Sequence, residues 1–111
     1  MTKPFANVRV IDFTQVFSGP YAAAQLALLG ADVIKVEKPG KGDDARYISE
    51  NVALVAQAMA PMFLSAGMNK RALSLDLKHP RAAEVVRRLV EKADVVMENF
   101  RPGVMDRLGI G

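Results

Sequence analysis

The segment best suited to ligand chemistry is a stretch rich in glycine and lysine, residues 37–46, with the sequence EKPGKGDDAR. Gly40 and Gly42 would allow backbone amides to face a ligand. The basic side chains beside them are Lys38, Lys41 and Arg46. Amides and cations in this combination favour the binding of a phosphate group. The alternative interpretation is a solvated loop in which Arg46 pairs with Asp43 or Asp44.

A second candidate is the turn FTQVFSGP at residues 13–20, which leads into an alanine-rich helix. Amides in the first turn of that helix could bind an anion or a carbonyl oxygen. The alternative is that Ser18 only caps the helix. The turn has one glycine, Gly19, where the dinucleotide fingerprint Gly-x-Gly-x-x-Gly needs three, so NAD binding of that type is disfavoured. The chain has no Walker loop either.

A third candidate is the segment ENFRPG at residues 98–103. Asn99 could hydrogen-bond the edge of a base, and Phe100 could stack on it. Arg101 and Arg107 could bind phosphates. The alternative is a simple helix entry, with Pro102 at its start.

The segment DLKHP at residues 76–80 has a plainer interpretation, since Asp76 or Lys78 would form a turn into the next helix. His79 has no neighbour that suggests a catalytic base, so we predict a surface histidine. The sequence shows no Ser-His-Asp set, no thiol and no close carboxylate pair. The residues therefore predict a site for an anionic ligand and no catalytic residue.

These segments follow strands in a pattern of alternating strands and helices. The predicted strands are residues 8–12, 33–36, 71–77 and 95–97, and the predicted helices are 20–29, 52–67 in two short pieces, 80–93 and a last short one after 103. This order predicts an α/β fold with a parallel or mixed sheet and flanking helices. Parallel strands bind ligands beyond their carboxyl ends, where the candidate segments lie.

Composition limits the class of protein. With 111 residues, 50% of them hydrophobic, the chain makes at most one domain. There is no cysteine and only one histidine, which argues against a metal site. A net charge of +3 with 6% aromatic residues suits a small anion better than a nucleic acid. No apolar run reaches the roughly 20 residues of a membrane span, and no signal peptide is visible, so we expect a cytoplasmic protein.

The predicted helix 20–29 is apolar nearly all round, which is typical of a buried helix. A chain of this length offers little to cover both of its faces. The predicted sheet also ends after its fourth strand, whereas open doubly wound sheets usually continue. We therefore expect residues 1–111 to be a single partial domain, the amino-terminal part of a larger one.

Taken together, the segments resemble the amino-terminal part of class III CoA-transferases of the CaiB/BaiF type. That family includes formyl-CoA transferase, carnitine and succinyl CoA-transferases, and α-methylacyl-CoA racemase. The matching residues are 12–14 (DFT), 18–20 (SGP), 29–37 (LGADVIKVE), 69–71 (NKR), 75–78 (LDLK), 93–95 (ADV) and 98–103 (ENFRPG). Only the loop around residues 47–60 falls outside the likeness.

The resemblance implies a Rossmann-like large domain, an interlaced homodimer, and acyl-CoA and a small carboxylic acid as substrates, with no metal. Transferases of this family use an aspartate nucleophile that lies beyond Gly111, so this chain would hold no catalytic residue and would be inactive alone. The alternatives are an acyl-CoA racemase or epimerase of the same family, and a non-catalytic CoA-binding module.

The resemblance also implies which residues contact coenzyme A. They are Gln15, Val16, Lys38, Leu75, Asp76, Leu77, Lys78, Asn99, Phe100, Arg101 and Arg107, with Phe17 and Ser18 near the reaction centre. Many members have arginine in place of Lys38, and lysine keeps the charge but loses the bidentate geometry. Formyl-CoA transferase has glutamine where this chain has Phe17, which indicates a different acyl partner.

Overall fold

The fold is a four-stranded parallel sheet with helices on both faces, seen in a computed structural model that describes residues 2–111. The strands are β1 (Arg9–Asp12), β2 (Asp32–Glu37), β3 (Lys70–Ser74) and β4 (Val95–Met97). The helices are α1 (Ser18–Leu28), α2 (Val52–Ala56), α3 (Pro61–Ala66), α4 (Ala82–Glu91) and α5 (Val104–Arg107), with a 3₁₀ turn at Asp44–Tyr47.

The strand order is β3-β2-β1-β4, and every neighbouring pair is parallel. The chain moves outward from β1 through β2 to β3, and α4 then returns it to the other side of β1. This is the first part of the doubly wound strand order, in which the direction reverses between β1 and β4. The predicted α/β fold is therefore confirmed, and the mixed sheet is excluded for the described residues.

Two core layers follow from the alternation of side chains along the strands. On one face, Val10 and Val33 pack against Ala23 and Ala27 of α1, whose small side chains let the helix lie close to the sheet. On the other face, Ile11, Phe13 and Val36 pack against Val86 of α4, with part-buried side chains around them. Because β1 is buried on both faces, it forms the centre of the domain.

Element ends differ from the sequence-based boundaries where side chains bond the backbone. β3 ends at Ser74 rather than residue 77, because the Asp76 carboxylate accepts the Lys78 amide (3.0 Å) and turns the chain. α4 begins at Ala82 rather than residue 80, because His79 Nδ1 accepts the Arg81 amide (3.1 Å) before the helix starts. α1 starts at Ser18, two residues earlier than predicted.

Large apolar side chains remain exposed on α1, α2 and α3 and in the segments beside them. They are Phe17, Tyr21, Leu28, Leu29, Val52, Met59, Leu64 and Met68. The apolar helix predicted at 20–29 is therefore only partly covered by the rest of the chain. None of the helices within residues 2–111 has the length and apolar character that crossing a membrane requires.

A buried ion pair connects β1 and β3, the two strands that flank β2. Lys70 Nζ, at the start of β3, donates to Asp12 Oδ2 (2.9 Å) at the end of β1 and to the Pro20 carbonyl (2.9 Å) of α1. Asp12 also accepts the backbone amide and the hydroxyl of Thr14. Both side chains of the pair are nearly inaccessible, at 2% and 0% exposure. One ammonium group thus connects β1, β3 and α1.

We predict that Asp12→Ala lowers the free energy of unfolding by about 3–5 kcal/mol, because it leaves a buried, uncompensated ammonium group. Asp32→Ala is the matched control, since Asp32 forms exposed ion pairs with Arg9 and Arg71 and should cost no more than about 1 kcal/mol. Urea denaturation of both variants measures the difference. Equal losses would show that the buried pair does not stabilise the fold.

Candidate functional site

The candidate segments all lie at one edge of the sheet, because the strands that precede them are parallel. Residues 13–17 follow β1, 38–43 follow β2, 75–79 follow β3 and 98–103 follow β4. The turns that carry Phe17, Lys38, Lys78 and Asn99 therefore emerge from the same edge, as the sequence predicted. Arg107 lies at the end of α5, just beyond the fourth of these turns.

The turns after β1 and β4 are joined by a reciprocal pair of hydrogen bonds. The Gln15 amide donates to Asn99 Oδ1 (3.0 Å), and Asn99 Nδ2 donates to the Gln15 carbonyl (2.9 Å). The side chain of Asn99 thus bonds both backbone polar groups of Gln15. It holds the first turn at the point where the strand order reverses, which is the usual binding crevice of such sheets.

Val16 has an unusual backbone conformation, with φ at +72°. A β-branched residue in the left-handed region is a genuine outlier. Its amide donates to Asp43 Oδ1 (3.0 Å), in the turn after β2. Phe17 follows with 46% of its surface exposed, and its ring stacks on Tyr21 at 5.8 Å. The first turn therefore presents an aromatic ring at the sheet edge.

Asp43 is the centre of a buried network. Its carboxylate accepts Lys35 Nζ (2.8 Å) and the Ala45 amide (2.9 Å) in addition to Val16, and the Asp43 and Lys35 side chains are 1% and 4% exposed. Burial raises the pKa of Asp43, but the Lys35 ammonium and the amides of Ala45 and Val16 outweigh it and leave the pKa below its ordinary value. Asp43 is therefore held as a carboxylate.

Arg46 has a structural partner that neither sequence interpretation identified. It forms a bidentate pair with Glu37 (2.9 and 2.8 Å), donates to the Ala58 carbonyl (3.1 Å) and lies 3.8 Å from the ring centroid of Phe63. The predicted pairing with Asp43 or Asp44 is wrong. Because its donors are engaged in this way, Arg46 shapes the turn after β2 and is poorly placed to bind an anion.

The cations that do face solvent in this turn are Lys38 and Lys41. Lys38 Nζ lies 3.6 Å from Asp44 Oδ1, and both side chains are at least half exposed, at 50% and 63%. Lys41 Nζ lies 5.6 Å from the ring of Tyr47. A cleft of about 320 Å³ runs beside them, lined by both lysines, the two glycines of the turn and residues 72–74. This cleft fits the predicted anion site.

The turn after β3 borders a second cavity, of about 480 Å³, lined by Leu75, Asp76, His79 and residues of α4. Leu75 and Leu77 are half-buried against the core layer under α4, while Lys78 is exposed. The alternative that Asp76 forms a turn is confirmed by its bond to the Lys78 amide. The exposed position of His79 also confirms the predicted surface histidine.

The remaining candidates divide into packed and exposed residues. Phe100 is half-buried, and its ring lies 6.4 Å from that of Phe13. Arg101 and Arg107 are exposed.

The alternative that Ser18 caps α1 is wrong, since Phe17 holds the cap position and no side chain bonds the free amides there. Within residues 2–111, no three histidine or carboxylate side chains gather closely enough to hold a metal ion.

Sequence reasoning missed the buried charges beneath the site. Lys35 stands inside the run VIKV, and Asp12 directly follows the buried residues Val10 and Ile11. A charged residue between or directly after apolar strand residues signals a buried partner, because an unpaired charge would be too costly to bury. That signal was available, but the identity of each partner depends on strand order.

The family model for CoA-transferase family III matches residues 5–111. This chain belongs to that family. The family predicted from the sequence motifs is therefore confirmed.

Curated relatives agree with this assignment. The chain is 47% identical over 109 residues to a formyl-CoA:oxalate CoA-transferase of Bradyrhizobium diazoefficiens, which covers 98% of this chain and 25% of the relative. A formyl-CoA:oxalate CoA-transferase of Rhodopseudomonas palustris gives the same identity and coverage. The chain thus spans about a quarter of the length of these relatives.

Solved structures of the family have the same fold. A hypothetical protein from Mycobacterium tuberculosis superposes with a TM-score of 0.86 at 43% identity, covering 98% of this chain and 28% of that one. A CaiB/BaiF family protein from Brucella suis gives 0.87 at 35% identity, covering 100% of this chain and 29% of that one. These two solved structures therefore share the four-stranded sheet of this chain.

We predict that Gly42→Ala destabilises the protein by about 3 kcal/mol, the size expected for backbone strain combined with a disturbed ion pair. Gly42 has φ +74°, and a Cβ there would overlap Glu37 Oε2 and lie 2.8 Å from Arg46 Nε. Gly40→Ala is the control, because Gly40 has φ +81° but open space around it, and it should cost only about 1–2 kcal/mol. Thermal unfolding that ranks the two alike would contradict this.

We also predict that Glu37→Gln makes the loss of stability in acid shallower. Burial raises the pKa of Glu37, but Arg46 and the Asp43 amide outweigh it, so the pKa lies below its ordinary value. A carboxyl group with a lowered pKa stabilises the fold at neutral pH and loses that contribution as the pH falls below its ordinary value of 4.5 and through the lowered pKa. Urea denaturation across this range measures it, with the exposed Glu50→Gln as control. Identical pH profiles for Glu37→Gln and wild type would exclude the effect.

Proposed function

We propose that residues 1–111 are the amino-terminal part of the CoA-binding large domain of a CoA-transferase. The complete enzyme would move CoA from an acyl-CoA thioester to a free carboxylic acid. The observation that carries this proposal is the convergence of four family motifs on one sheet edge, beside a cleft lined by Lys38 and Lys41. The relatives named as CoA-transferases support transfer over racemisation, the alternative within the family.

Lys38 is the best candidate to bind the 3′-phosphate of coenzyme A. Its contact with Asp44 is long, at 3.6 Å, and exposed, and such surface pairs contribute little free energy. A phosphate dianion can therefore displace Asp44 at low cost. The glycines of the same turn would allow the backbone to approach the ligand. Lys78 and Arg107 are also exposed and would lie near the adenine and the same 3′-phosphate, and the exposed Arg101 would contact the ligand beside them.

The chemistry would proceed through a carboxylate of the part of the enzyme beyond this chain. An aspartate attacks the thioester carbonyl, which forms a mixed anhydride and releases CoA as a thiolate. The thiolate then attacks the aspartyl carbonyl of the anhydride, giving an aspartyl-CoA thioester and the first free acid. The second acid repeats these two steps in reverse. The residues described above hold the CoA throughout, and we propose a cytoplasmic homodimer as the working form.

Phe17 supports an acyl partner other than oxalate. Its exposed ring stacks on Tyr21, so the surface it offers at the sheet edge is apolar. A small dianion would lose hydration against this surface without gaining a hydrogen bond. We therefore propose that the acyl group carries more apolar surface than oxalate does.

We predict that Lys38→Ala, made in the product of the whole gene, weakens CoA binding by about 10- to 100-fold, the effect of losing one charge-assisted hydrogen bond. Binding of dephospho-CoA should change by less than about threefold, because that ligand lacks the phosphate that Lys38 would contact. Isothermal titration calorimetry with both ligands measures this difference.

Lys92→Ala is the matched control, because Lys92 is an exposed lysine at the far end of α4, near Arg9 and Ile34. It should leave both affinities unchanged. Equal losses for the two ligands in Lys38→Ala would exclude the 3′-phosphate role. A whole-gene product that binds neither ligand would refute the proposed function itself.

A further inference from the structure

The turn that carries Val16 and Phe17 is under strain. Val16 has φ +72° and a β-branched side chain, a combination that is unfavourable for an isolated peptide. Strain of this kind persists only where surrounding contacts impose it, and it is often found at functional sites. Here the Val16 amide is held by a hydrogen bond to the Asp43 carboxylate.

The contacts that impose the strain come from the buried pair of Asp43 and Lys35. Asp43 Oδ1 accepts the Val16 amide (3.0 Å), and Lys35 Nζ donates both to Asp43 Oδ2 (2.8 Å) and to the Thr14 carbonyl (3.0 Å). The pair therefore holds the turn at two peptide groups, one on each side of Gln15. The Ala45 amide donates to the same carboxylate (2.9 Å) and fixes its orientation.

Stability alone does not explain this arrangement. A buried ion pair brings little net stability, because desolvation of the two charges offsets their attraction. What the pair does provide is direction, since each carboxylate oxygen has a fixed donor. Within residues 2–111, Asn99 bonds the two backbone groups of Gln15, and the Val16 amide has its partner in Asp43.

We propose that Asp43, oriented by Lys35, is a positioning residue that sets the direction of Phe17 at the reaction centre. This inference rests on the proposed function. Asp43 is buried beneath the turn and acts through the Val16 amide, so it needs no contact with substrate. Misplacement of a group beside the reacting atoms by about 1 Å can cost about 100-fold in rate.

The first test is Asp43→Asn in the product of the whole gene. This substitution replaces one carboxylate oxygen, a strong hydrogen-bond acceptor, by an NH₂ group and leaves the side-chain size unchanged. We expect kcat for acyl transfer to fall by about 10- to 100-fold. The KM for the CoA thioester should change by less than about threefold, because the Asp43 carboxylate bonds Val16, Lys35 and Ala45 and none of the proposed nucleotide contacts. Glu50→Gln, which removes the same charge from an exposed side chain, should leave both parameters unchanged.

A double-mutant cycle with Val16→Gly separates positioning from general damage. Glycine adopts φ +72° without strain, so a turn with glycine depends less on the Asp43 carboxylate. Asp43→Asn should therefore lower kcat by less than about threefold in the Val16→Gly background. An equal loss in both backgrounds would overturn the proposal.

Hydrogen exchange gives a readout that does not need activity. In Asp43→Asn, a peptide covering residues 13–19 should exchange faster by mass spectrometry, while peptides from β1 and β2 stay protected. Unchanged exchange at 13–19 would overturn the proposal. If the wild type shows no CoA transfer, the proposed function fails, but the exchange result still decides whether Asp43 holds the turn.

Lys35→Met combined with Asp43→Asn covers the case in which Asp43→Asn does not fold. The double change removes the unpaired ammonium, which is the main cost of breaking the pair. It should fold and still show the fast exchange and the low kcat. Failure of both variants to fold would overturn the proposal, because the pair would then be required for folding itself.

Discussion

The site depends on two buried lysine–aspartate pairs beneath the carboxyl edge of the sheet. Asp12 with Lys70 and Asp43 with Lys35 lie on the α1 face, and Thr14 links them through its bonds to Asp12 and Lys35. Burial lowers the pKa of Lys70 and Asp12 opposes that change, but the pKa stays below its ordinary value. The two lysines cannot be buried so close together unless each has its own carboxylate. The chain path of the first two turns follows from that requirement.

The sequence predicted most of the fold because the sheet is built from local patterns. β1 and β4 ended within a residue of the prediction, since apolar runs bounded by charge define them. The errors came where a side chain bonds a nearby amide. Asp76 shortened β3, and His79 delayed α4. Such bonds compete with regular secondary structure over two or three residues, which hydrophobic periodicity does not detect.

The candidate site was predicted less completely, and Arg46 shows why. Its charge and spacing favoured either a phosphate or the adjacent aspartates, yet Glu37 and Phe63 hold it. Phe63 belongs to α3, and only the packing of α3 beside the 3₁₀ turn brings the two together. Partner choice among nearby charges is thus a tertiary property. The family motifs succeeded because they encode the whole turn rather than one pair.

The distribution of charge is compatible with the proposed phosphate site, although the net charge of the chain is only +3. Lys35, Lys70 and Arg46 are consumed by internal carboxylates, and Arg9 and Arg71 share Asp32. Each internal pair cancels a positive charge that would otherwise act at long range. Lys38 and Lys41 keep an exposed charge beside a cleft with glycine backbone. At the proposed site, local potential rather than total charge would select the ligand, because screening in water limits the reach of each cation to about 10 Å. The buried pairs therefore shape the turn and also leave its positive charge where an anionic ligand can use it.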